Sequence, residues 1–111
     1  MKKTTSVFAG LLLVFSSAVM AEDPHAKAAL EHANAAAKEG AAGRASELVK
    51  HASVALEHTL AGALVDTGMN KEHLEAASNE LEEAVNHGNM GHADVGTEHV
   101  KAAITHIQAV K

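Results

Sequence analysis

The sequence predicts an all-α protein, an antiparallel up-down four-helix bundle built from a duplicated helical hairpin. Three observations point there. Residues 22–111 are rich in Ala, Glu, Lys and Leu, hold one proline and show no period-two alternation, all of which favour helix over strand. Glycine-bearing breaks divide this segment into four pieces of helical length. A shift of 48 residues then lays the first two pieces on the last two, with His25 on His73, His51 on His99, His58 on His106, Gly40 on Gly88 and Gly43 on Gly91.

Residues 1–21 read as a cleaved secretory signal peptide. Lys2 and Lys3 give a basic start, Val7 to Phe15 is a short apolar run, and Val19-Met20-Ala21 is a plausible processing site, so cleavage is expected after Ala21. The apolar run is short of the roughly 20 residues a spanning helix needs, which argues against a retained anchor. Both phenylalanines lie in this leader, so residues 22–111 contain no aromatic side chain except histidine and their core must be aliphatic. Removing Lys2 and Lys3 leaves 7 basic against 14 acidic residues, a formal charge of -7.

The first helix is expected over 24–39, started by Asp23 as N-cap and Pro24 at the first helical position, where its missing N–H costs nothing. Gly40 to Gly43 separates it from a second helix over 43–65. Asp66 to Asn70 precedes a third over 71–87, and Gly88 to Gly91 a fourth over 92–110. The hairpin repeats are therefore 24–65 and 71–110, within one domain of residues 22–111. Short links make neighbouring helices antiparallel, and a bundle buries the apolar faces of both hairpins. A heptad recurs within them: histidine, an apolar residue next, then small or apolar residues four and five places on, as in His51-Ala52 with Ala55-Leu56. That register puts histidine at g, on the flank of the buried stripe.

Composition narrows the function. Without cysteine there are no disulfides, thiolate metal sites or thiol nucleophiles. An acidic, aromatic-poor chain repels nucleic acid and offers no platform for stacking bases. No nucleophile, base and orienting group converge in one motif, so no enzymatic activity is expected.

Nine histidines are the unusual feature. Scattered at random over residues 22–111 they would make about 0.75 pairs seven apart. Four occur, 25 with 32, 51 with 58, 92 with 99 and 99 with 106. Residues seven apart on one helix are about 10.5 Å apart along the axis, too far to share an ion that needs each nitrogen at about 2 Å. A neighbouring helix must supply the second ligand. Positions equidistant from a hairpin turn lie at one level, and these have constant number sums, 83 in the first hairpin and 179 in the second. The rungs expected are His25 with His58, His32 with His51, His73 with His106, His87 with His92, and Glu80 with His99, while Glu39 with Arg44 completes the series as an ion pair. Glu47 lies one turn before His51 and Glu83 one turn before His87, placed to join or orient those rungs.

Facing imidazoles with nearby carboxylates suit Cu(II), with Ni(II) and Zn(II) as further candidates. The metal-ligating set is therefore His25, His32, His51, His58, His73, His87, His92, His99 and His106 with Glu47, Glu80 and Glu83, and no organic cofactor is expected. Met69 and Met90 read as loop fillers rather than thioether ligands. Asp23-Pro24-His25 is not an amino-terminal copper clamp, because cleavage after Ala21 places histidine fourth with proline before it. The competing reading is a pH-responsive or structural bundle whose histidines titrate near 6.5. A b-type haem carrier has little support, since an Ala-rich core leaves no room for a porphyrin.

The leader, the cysteine-free and aromatic-free remainder, and heptad histidines across the turns Glu-Gly-Ala-Ala-Gly-Arg and His-Gly-Asn-Met-Gly-His resemble the periplasmic small metal-binding proteins over nearly all of residues 25–110. That resemblance implies a monomeric four-helix bundle that binds several divalent ions, copper foremost, for metal scavenging or tolerance. It also implies histidine where this chain has Glu39, Arg44 and Glu80, and so a lower capacity here.

Overall fold

The computed structural model describes residues 23–111, so the expected signal peptide lies outside the described residues. Four helices follow: α1 (Pro24–Ala41), α2 (Ala45–Val65), α3 (Gly68–Asn89) and α4 (Ala93–Gln108). Consecutive helices pack side by side and α4 closes against α1, giving the antiparallel four-helix bundle. Among the described residues no helix is long and apolar enough to cross a membrane.

Capping starts α1 as expected. Asp23 Oδ1 accepts hydrogen bonds from the backbone N–H groups of His25 (2.9 Å) and Ala26 (3.1 Å), satisfying two donors that a helix start leaves unpaired. The second helix ends at Val65 as expected, and the remaining ends differ from the expected boundaries. Gly40 and Gly88 do not break their helices, which run on to Ala41 and Asn89. The breaks are made by Gly43 and Gly91, both at φ +81, a left-handed conformation that favours glycine. The third helix starts at Gly68 rather than at residue 71, because Gly68, at φ +59, turns the chain back within a two-residue link.

Gly40 and Gly88 serve the core instead. A Cβ on Gly40 would overlap Thr97 Oγ1 of α4 and come within 2.5 Å of Leu48 Cδ1, and one on Gly88 would come within 2.5 Å of Val49 Cγ2. A Cβ on Gly96 would lie 3.4 Å from Leu48 Cδ1. Leu48, with 0% exposure, therefore fills a space walled by three glycines from α1, α3 and α4. There Leu48 of α2 reaches across the bundle to Gly96 of α4.

Elsewhere the core is mainly alanine, Ala26, Ala29, Ala33 and Ala36 on α1 and Ala52 and Ala55 on α2, joined by Leu74, Leu81, Val100 and Ile107. The residue after each heptad histidine on α1 to α4 is buried, from Ala26 to Ile107, except at His92. Thr59 and Ser78 place a hydrogen bond of 2.7 Å between α2 and α3 in this core. Asn70 exchanges two bonds with Lys111, at 3.0 and 3.1 Å, which ties the chain end to the start of α3.

Candidate metal centre

Because the position after every histidine but His92 is buried, these histidines stand at the edge of the core. Eight of the nine are half-buried and His92 is exposed. They line two seams, α1 against α2 and α3 against α4. Every equal-sum pair meets. Ring centroids are 5.6 Å apart for His25–His58, 6.0 Å for His32–His51, 6.2 Å for His73–His106 and 5.8 Å for His87–His92. The Nδ1 atoms of His25 and His58 are 3.4 Å apart, a separation two nitrogens can keep while each lies about 2 Å from one ion. Glu80 Oε1 lies 2.8 Å from His99 Nδ1, and Arg44 Nε lies 2.6 Å from Glu39 Oε1.

Level-counting did not find the diagonal contacts. His32 stacks on His58 at 6.2 Å and 11°, and His87 on His99 at 5.4 Å and 13°. Their number sums, 90 and 186, each exceed a rung by one heptad. The cause is the tilt of every Cα–Cβ bond toward its own helix N-terminus. On the first helix of a hairpin this tilt carries the ring away from the turn, and on the second it carries the ring toward the turn. His32 and His58, nominally a heptad apart, thus converge, as do His87 and His99. Each seam becomes a zigzag rather than a set of separate rungs.

One diagonal recruits a carboxylate. Among the described residues, Glu83, His87 and His99 form a group in which one ligand atom from each lies within 4.8 Å of the others. Glu83 sits one turn before His87 on α3, and α4 supplies His99. Glu80 holds His99 Nδ1, so Nε2 is the nitrogen left to bind, an arrangement that fixes the ring as a carboxylate does behind a metal-bound histidine. Glu80 is thereby placed to orient the His99 ring. His87 Nδ1 is shielded from water and has no hydrogen-bond partner, a condition that costs about 1–3 kcal/mol and that coordination of a cation relieves.

Other candidates are differently engaged. The Glu47 carboxylate lies 3.3 Å from Lys50 Nζ and is outside the three-ligand group. Met69 and Met90 are both exposed beside turns, and Met69 lines a shallow concavity with His73 and Gln108.

At the far end of α1 and α2, burial opposes ionisation of Asp23, but a hydrogen bond with Asp66 and the backbone N–H groups of Ala26 and His25 hold its carboxyl below the usual value of 3.8. The same bond to Asp23, with burial, raises that of Asp66. The pairing thus pushes the two carboxyls apart, Asp23 down and Asp66 up.

Comparison with known proteins agrees with this geometry. The family model described as small metal-binding protein matches residues 1–110. No curated protein matches the chain.

Proposed function

The chain belongs to the small metal-binding protein family, and from that premise we propose that it is a periplasmic scavenger or buffer that holds several divalent ions, Cu(II) foremost and Ni(II) or Zn(II) also, on side chains of the two histidine seams. The observation that carries this reading is the group Glu83, His87 and His99, three ligand atoms from two helices within 4.8 Å. Imidazole with carboxylate is a borderline-hard donor set that suits these ions and leaves further positions for water. Binding and release, rather than catalysis, is what such open sites support. The leader read in the sequence supports export, and the other imidazole pairs supply weaker sites alongside the three-ligand one.

Equilibrium dialysis of residues 22–111 against Cu(II), followed by metal analysis, tests the proposal. Several ions per chain are expected at neutral pH, with loss near pH 5 as protons compete for imidazole. His87→Ala should remove one tight ion, and replacing His32 and His51 together should remove about one more without unfolding the bundle. A stoichiometry of one or none overturns the proposal. A thermal melt that follows pH but ignores copper would favour a structural, proton-responsive bundle.

A further inference from the structure

Residues 48 apart occupy equivalent places in the two hairpin turns, and the match extends to the backbone. Gly43 and Gly91 share φ +81. Arg44 and His92 have φ/ψ of -97/84 and -92/74, and each donates its backbone N–H, at 2.9 Å, to the carbonyl of residue 39 or 87. Side chains at 39 and 44 therefore leave the chain in the same directions as those at 87 and 92. The residues equivalent to Glu83, His87, His99 and His92 are Ala35, Glu39, His51 and Arg44. Where the α3–α4 turn gathers three neutral or anionic ligands, the α1–α2 turn puts a guanidinium on its remaining carboxylate.

We propose that Arg44 is a built-in cation, seated on Glu39 where the α3–α4 turn would hold a divalent ion, and that it keeps the α1–α2 turn free of metal. Arg44 Nε meets Glu39 Oε1 at 2.6 Å, which sets a fixed positive charge against the carboxylate that a metal would otherwise approach. The guanidinium also holds the Glu39 carboxyl below its usual range, and the neighbouring His51 adds to the effect. An arginine stays charged at every pH at which imidazole binds metal, so it repels a divalent ion throughout. A histidine at the same place, as at His92, offers a ring nitrogen as a ligand in place of a fixed charge. The inference rests on the reading of Glu83, His87 and His99 as a metal site. Its consequence is specific: the bundle has one tight turn site rather than two, and Arg44 bars the second even where the missing ligands are supplied.

Two reciprocal grafts test it, using Cu(II) dialysis at pH 7 with helicity checked by circular dichroism. In the first turn, A35E/E39H/R44H should bind one more tight ion than the parent, whereas A35E/E39H, which keeps Arg44, should bind no more. In the second turn, His87→Glu keeps a three-ligand set and should retain its ion, whereas H87E/H92R should bind that ion at least tenfold more weakly. The second pair changes only half-buried and exposed positions, so it decides the matter if the first-turn graft fails to fold. Equal affinity in H87E and H87E/H92R overturns the inference, as does an ion gained by A35E/E39H with Arg44 in place. The underlying reading fails separately: if His87→Ala loses no ion from the parent chain, the second turn is not a metal site and the inference falls with it.

Discussion

Leu48→Ala should be the most damaging single truncation in this protein. Removing a buried leucine side chain costs its transfer free energy plus a penalty for whatever cavity the surroundings fail to fill, about 2–5 kcal/mol in all. Position within that range depends on how far neighbours relax inward. Three of the walls around Leu48 are Gly40, Gly88 and Gly96, which have no side chains to swing into the void. The cost should therefore fall in the upper half of the range, about 4 kcal/mol. A single domain of this size has a total stability of about 4–13 kcal/mol, and an alanine-rich core places this one toward the lower end. Apo Leu48→Ala should be largely unfolded or close to its midpoint at 25 °C.

Metal should rescue it. An ion that binds only the folded state, at a free concentration 100 times its dissociation constant, adds about 2.7 kcal/mol. The assay is urea denaturation followed by circular dichroism at 222 nm, for parent and variant, in chelator and in Zn(II), which avoids redox chemistry. The expected pattern is a large loss in chelator and a partial recovery with metal. A loss below about 1.5 kcal/mol would refute the argument that glycine walls cannot collapse.

Gly40→Ala should cost about 1–3 kcal/mol through overpacking against Thr97 and Leu48, even though alanine is the better helix former, and a thermal melt checks it. Gly43→Ala meets nothing within 4 Å yet should cost about 1 kcal/mol, because alanine resists a φ of +81. Glu80→Gln should weaken the ion at Glu83, His87 and His99 by roughly 10–100-fold without changing the number bound, since it loosens His99 rather than deleting a ligand. For Asp66 the sign follows from linkage: a carboxyl raised above 3.8 in the fold contributes stability that is present at low pH and is lost as pH rises through its raised value. Asp66→Asn keeps a neutral donor to Asp23 at all pH values, so its advantage over the parent in a melting series should grow as pH rises through that titration and vanish below it.

Much of this arrangement is legible in residue numbers because helix geometry is regular. Two antiparallel rods with a fixed rise per residue must place positions of equal sum at one level, so His25 with His58 and Glu80 with His99 need no tertiary information. What escaped depends on direction and contact. The His87–His99 diagonal requires the Cβ tilt as well as the level, and it is this diagonal that brings Glu83 into a three-ligand group. Gly40 and Gly88 read as helix breakers because glycine usually is one, whereas their role is set by Thr97, Leu48 and Val49, which are distant in sequence or on another helix. Glu47 shares the spacing of Glu83, four residues before a histidine, but a nearer lysine engages it.

The thin core and the histidine seams are two sides of one constraint. Helix separation follows the size of the residues between the axes, from about 8 to 10 Å. Imidazoles at the flank of the stripe can share an ion only if their nitrogens come within about 4 Å of each other. His25 and His58 reach 3.4 Å, flanked by Ala26, Ala29 and Ala55 in the core beneath. Leucines at those alanines would bury more apolar area and stabilise the apo bundle, but they would push α1 from α2 and open the seam. Stability is therefore limited by the same small side chains that bring the ligands together, and bound metal restores part of it through linkage. By that linkage a bundle of this kind should be most stable when loaded, in keeping with the proposed role of holding ions.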